Sequence, residues 1–195
     1  LGLYWRAVMS KRSGTVLILG IIGCGLASLH WGSSPEQPGV LAPRPVRADV
    51  VNVAADRSVL IEGVPHIRQK PDFCGEACAA SWLRKLKRPV DQDYVFDQSG
   101  LSPLLGRGCY TKELSAGLRK IGFQVGPVWN RVRVADKQRE LQVLWNDLLT
   151  DLHHGVPSIV CMHYSDQPNT TEHFRLALGY DAKSDEVIYH EPAVD

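Results

Sequence analysis

Neither sign of charge dominates this sequence. It holds 22 Lys and Arg against 21 Asp and Glu, a net charge of +1. A grip on nucleic acid usually needs a basic excess gathered on one face, so that class of function is set aside. The basic residues between Arg131 and Arg139 are interrupted by acidic ones and read as a solvated loop or helix face. Also missing is an apolar run of the ~20 residues that a membrane-spanning helix needs. The longest candidate, Val16 to Ala27, is 12 residues. No cysteine and histidine pair has the usual zinc spacing. A zinc set drawn from Cys109, Cys161, His163 and His153 or His154 is therefore discounted, and no metal or organic cofactor is expected. There is no internal repeat. The cysteine count, five, is not even, so at least one thiol is unpaired within the chain or is lost or modified in maturation.

What the first 30 residues do have is the layout of a sorting signal. Lys11 and Arg12 form a short positive region, and Val16–Ala27 has the length of a signal-type apolar core. Within it "IIGC", Ile21 to Cys24, resembles the lipobox of bacterial lipoproteins. Three outcomes stay open: lipidation of Cys24, ordinary cleavage near Ala27 and Ser28, or an uncleaved membrane anchor. Each delivers the rest of the chain outside the cytoplasmic membrane, into the cell envelope or beyond. The first residue is Leu1, and Met9 is a credible start. Residues 31–57 are rich in Pro, Gly and Ser without apolar periodicity and read as a flexible tether.

Residues 58–195 carry the patterning of one folded domain. "SVLIEGVPHI" suits an edge strand. A helix is expected from about Cys74 to Lys87, with Ala77, Ala80, Ser81 and Leu83 at helical spacing and Pro89 beyond its end. "VDQDYVFDQSG" reads as a short helix stopped by Gly100. The next helix has Thr111 as expected N-cap, Leu114, Leu118 and Ile121 on one face, and Gly122 as C-cap. "ELQVLWNDLLTDLHHG" is a clear amphipathic helix ending at Gly155. Three β-like runs follow: "PSIVCMHY", "HFRLALGYD" and "EVIYHEP". Helices first and strands last predict an α+β fold, with helices packed on an antiparallel sheet.

The stretch "QKPDFCGEAC" sets Cys74 at a helix start. Unsatisfied N–H groups and the helix dipole there favour a thiolate, the form of cysteine that is a nucleophile. Gly75 is read as room for a substrate to approach. Gln69, five residues earlier, can offer a side-chain N–H to an oxyanion beside the backbone N–H of Cys74. A base is supplied by His173, at the mouth of the run "HFRLALGYD". Glu191, in "HEPA", can hold the imidazole tautomer. The other thiols are expected in the core: Cys78 sits one turn on, too far for an unstrained bridge, and Cys109 and Cys161 are core thiols or a disulfide. His153 and His154 are expected at the surface, His66 and His190 on edge strands, and Tyr180 with Asp181 in a turn. The "NTT" at Asn169 marks a polar loop ahead of His173.

Together "QKPDFCGEAC", "EHFRLALGYD" and "HEPA" resemble family 39 of the cysteine peptidases, the papain-like bacteriocin-processing group. The resemblance runs from about Val59 to the end. It implies a papain-like fold with Cys74 as nucleophile, His173 as base, Gln69 at the oxyanion and Glu191 as orienting group. It also implies peptide or protein substrates and no cofactor. The sequence departs from the family pattern in three places: Glu76 replaces a proline, Gln69 lies one residue closer to the cysteine than is usual, and Glu191 replaces an aspartate. Relatives continue through further sheet where this chain stops at Asp195, so an incomplete domain is expected. The rival readings are an inactive peptide-binding envelope module of the same fold and an acyl or peptidyl transferase.

Overall fold

The computed structural model describes residues 57–167 and 169–194 in full. Of the first 56 residues it describes the backbones of two strands, β1 (Trp5–Val8) and β2 (Ile21–Gly25). The expected charged region, the region near Ala27 and Ser28, and residues 31–56 of the expected tether lie outside the described residues, whereas Ile21–Gly25 of the expected apolar core form β2.

The remaining elements run β3 (Val59–Leu60), α1 (Cys74–Lys85), α2 (Gln92–Ser99), α3 (Thr111–Ile121), β4 (Gln124–Val125), α4 (Lys137–His153), β5 (Ser158–His163), β6 (Glu172–Asp181) and β7 (Glu186–His190). Sheet order is β1-β7-β6-β5-β2-β4, with β3 beside the far half of β6. All its pairings are antiparallel. The α+β expectation holds: the helices pack on an antiparallel sheet.

Local chemistry explains most boundaries. The Asp91 carboxylate caps α2 by accepting from the Tyr94 N–H at 2.9 Å. Gly100 and Gly122 end α2 and α3 in the left-handed conformation, at φ 74° and 109°. At the start of α3 the structure corrects the expectation. Tyr110, not Thr111, holds the cap position, and Thr111 is buried as the first helical residue. Glu113 does the capping instead: it accepts from the Tyr110 N–H at 2.7 Å, and Arg107 grips both its oxygens at 2.8 Å.

The core lies between the helices and the sheet. Leu83 of α1, Val95 of α2, Leu114 and Leu118 of α3, Leu152 of α4 and Leu176 of β6 are all within 1% of complete burial. Truncating any one of these leucines to alanine costs about 2–5 kcal/mol. The face of α1 toward the sheet is built of small residues, and Gly75 is the closest approach. An added Cβ there would stand 2.7 Å from Leu114 Cδ2 and 3.1 Å from Phe174 Cδ2. Gly75 therefore serves packing against α3 and β6, and the expectation that it opens a path for substrate is corrected.

Three smaller expectations also shift. The edge strand near Val59 shrinks to two residues, and His66 lies beyond it in no strand. Tyr180 and Asp181 belong to β6 itself. The backbone of Val59 pairs with Tyr180 there, which extends the strand past the point where its apolar pattern fades.

Candidate active site

Cys74 is the first residue of α1 and is half-buried. The N-cap residue, Phe73, offers no side-chain acceptor to the leading N–H groups of the helix. The turn before it is fixed from two sides. Asp72 takes a left-handed φ of 63°. Its carbonyl oxygen would lie 2.0 Å from a Cβ on Gly108, so only glycine lets the two backbones meet there.

His173 is the second residue of β6 and lies 6% exposed, opposite Met162 of β5. α1 packs over β6, and this sets Cys74 near enough to the His173 ring for the thiol to act on its protonation. The other end of the ring is taken by Glu191, one residue past β7: His173 Nε2 lies 2.5 Å from Glu191 Oε1. That contact leaves Nδ1 for the sulfur. Burial alone pulls the His173 pKa down. The bonds to Cys74 and Glu191, and their charges, outweigh it, and the net shift is upward. The imidazolium is thus favoured where a thiolate needs a partner. For Glu191, burial pushes its carboxyl up, but His173, the Ala193 N–H at 3.0 Å and Arg175 prevail and hold it below its usual range.

Gln69 is carried to the same place by backbone pairing: its N–H donates to the Pro192 carbonyl at 2.8 Å. Its side-chain Oε1 is buried and accepts no hydrogen bond. The four residues selected from the sequence are therefore neighbours in space, although 122 positions separate Gln69 from Glu191.

Several supporting residues were not singled out from the sequence. Gln92 of α2 straddles Gln69, its Oε1 accepting from the Lys70 N–H and its Nε2 donating to the Arg68 carbonyl, both at 2.8 Å. Arg175, two residues beyond His173 on the same face of β6, approaches Glu191 Oε2 with its Nε at 2.6 Å. The contact is an ion pair, since the angle falls short of a hydrogen bond. Tyr164 sets its ring edge-on to His173, centroids 5.1 Å apart. Glu76, where the family pattern has proline, is fully buried and accepts from the Cys109 N–H at 2.7 Å. Burial raises its pKa. Nothing in the local pattern announces these roles, because each partner is distant in the chain.

The remaining described thiols are buried and free. Burial pushes Cys109 and Cys161 up to about 12 and Cys78 well above the ordinary thiol value. The expected core placement of Cys78 holds, and of the two options left open for Cys109 and Cys161 the structure shows core thiols. His153 and His154 are at the surface as expected. Among the described residues no three His, Cys, Asp or Glu side chains are grouped to hold a metal ion, and no helix is long and apolar enough to cross a membrane.

Comparison with known proteins places the chain in a family. The family model described as Peptidase_C39 like family matches residues 61–195. The chain belongs to the Peptidase_C39 like family. Its fold is the α+β, papain-like one, and the family suggests a cysteine peptidase with peptide or protein substrates. No curated protein matches the chain, and no solved structure does.

Proposed function

We propose that this protein is an exported cysteine peptidase that cleaves peptide bonds through an acyl-thioester on Cys74. The observation that carries the reading is the His173–Glu191 pair with Cys74 acting on the same imidazole, from the start of α1, from β6 and from just past β7. The Cys74 sulfur attacks the carbonyl carbon, and the developing oxyanion is met by the Cys74 backbone N–H and the Gln69 side chain. The C–N bond then breaks, and His173 gives its proton to the leaving amine. In the second half His173 takes a proton from water, whose oxygen displaces the sulfur and releases the carboxylic acid. Glu191 stays ionised throughout and steadies the imidazolium.

Incubation of the purified protein with a peptide mixture, read by mass spectrometry, tests this. Cleavage products are expected with wild type and absent with Cys74→Ala. Binding without cleavage, unchanged by His173→Ala, points instead to an inactive module. Amide products formed in the presence of an added amine identify a transferase.

Export rests on Lys11, Arg12 and the apolar run Val16–Ala27, and attachment to the membrane on that run or on a lipidated Cys24. The N-terminus of the protein recovered from the cell envelope is expected at Cys24 with lipid, near Ser28, or intact in the membrane fraction. Recovery only as intact cytoplasmic protein contradicts it.

A further inference from the structure

Arg175 is an unusual residue for its place. It sits in the middle strand of the apolar run "HFRLALGY" and is 7% exposed. A buried guanidinium is costly unless every part of it is met. Here Nε faces Glu191 Oε2 at 2.6 Å, Nη1 donates to the His163 carbonyl at 3.2 Å, and Nη2 donates to the Tyr164 carbonyl at 3.0 Å. The planar fork thus ties the acid of the site to the end of β5 and to the loop that carries Tyr164, whose ring stands edge-on to His173.

The two oxygens of Glu191 divide their partners. Oε1 serves His173 and the Ala193 N–H, and Oε2 faces Arg175. A glutamate has one more rotatable bond than an aspartate, so a single contact leaves it freer to turn away from the imidazole. A cation on the second oxygen removes that freedom. We propose that Arg175 is a positioning residue that acts through Glu191, fixing the longer acid in line with His173 and so completing a Cys74–His173–Glu191–Arg175 relay. The proposal rests on the reading of Cys74 and His173 as a peptidase pair.

Other titratable groups face Glu191 and must be held constant. His66 donates its Nε2–H to the Glu191 carbonyl at 2.9 Å, His190 precedes it with its ring edge-on to His66, and Cys78 approaches from α1. Cys78 also feels the charge of Arg175, so the readout is confined to the Cys74 peptide.

The experiment follows alkylation of Cys74 by iodoacetamide in the full chain, by mass spectrometry of the Cys74 peptide, from about pH 5 to about pH 9. No natural substrate is needed. Arg175→Gln is expected to slow alkylation about tenfold near neutrality, the scale of coupling between contacting charged groups. It is also expected to move the acid limb of the profile upward, because the cation that helps keep Glu191 ionised is gone. Arg175→Lys keeps the charge without the fork and is expected to fall between. In a Glu191→Gln background, Arg175→Gln is expected to add nothing further. An equal extra loss in that background, or an unmoved profile in the single variant, overturns the proposal and leaves the peptidase reading standing. Wild-type Cys74 reacting at the rate of an ordinary thiol, indifferent to His173→Ala, removes both. Should Arg175→Gln not fold, Arg175→Lys decides: a rate and profile equal to wild type overturn the proposal.

Discussion

Gln69 and Glu191 make separable contributions, and single substitutions should show it. Alkylation builds no oxyanion, whereas attack on a peptide carbonyl does. Gln69→Ala is therefore expected to lower peptide turnover by about 10²–10³ while leaving iodoacetamide alkylation of Cys74 unchanged. Equal losses in both assays contradict an oxyanion role. Glu191→Asp restores the acid usual in the family but shortens its reach, so it cannot keep both His173 and Arg175. Alkylation several-fold slower than wild type, about the cost of one weakened charged contact, is the expected result. A faster rate means that Arg175 is not a needed anchor. At this scale Cys74, His173, Glu191 and Gln69 could be singled out as candidates because the proposed chemistry admits few residue types in a fixed order. Arg175 was not, since a lone basic residue in an apolar strand looks like an exposed one until the fold buries it. Glu76 was seen only as a departure from proline, because its partner Cys109 lies 33 positions away.

The element that matters most is α1, which must sit close enough on β6 to hand Cys74 to His173. Gly75 sets that distance through Leu114 and Phe174. Gly75→Ala is expected to destabilise the domain by about 1–3 kcal/mol through overpacking, read as a lower urea midpoint. Alkylation of Cys74 should slow as well, since the helix start is pushed off the strand. Unchanged stability and rate show that the helix has slack there. All four α-helices were legible, α1 from its apolar spacing and Pro89 beyond its end, the others from their pattern and a following glycine. β4 was missed and β3 was read too long, because strands of two residues carry no alternation. The start of α3 was misplaced by one residue because Thr111 looks like a cap, whereas the Glu113 carboxylate, anchored by Arg107, fills that role from inside the helix.

For the molecule as a whole, acid stability follows from buried ionisable groups of opposite sense. His190 is 2% exposed. Burial, with a contribution from His66, lowers its pKa from the ordinary 6.5 to about 4. Between those values the unfolded chain binds a proton that the folded one refuses, so stability falls as pH falls through that window. Glu191, held below its usual range, adds to the loss at lower pH still. Glu76, raised by burial, works the other way and favours the folded state as it protonates. A urea midpoint that drops between about pH 6.5 and about pH 4 is expected, with a flatter profile in His190→Phe. The same slope in wild type and variant refutes the assignment. The order of helices and strands made the α+β class legible; the order of strands within the sheet was not, because it depends on pairings such as β6 with both β5 and β7 that no local pattern encodes.

The most direct measurement is the rate at which iodoacetamide alkylates Cys74 in slightly acidic buffer, compared with a small free thiol and with His173→Ala. Cys109, Cys161 and Cys78 stay silent there, being buried with raised pKa values. A pairing of sulfur and imidazole predicts that Cys74 outpaces the free thiol and that His173→Ala slows it by tenfold or more, about the weight of one positioned base. Equal rates in all three contradict it.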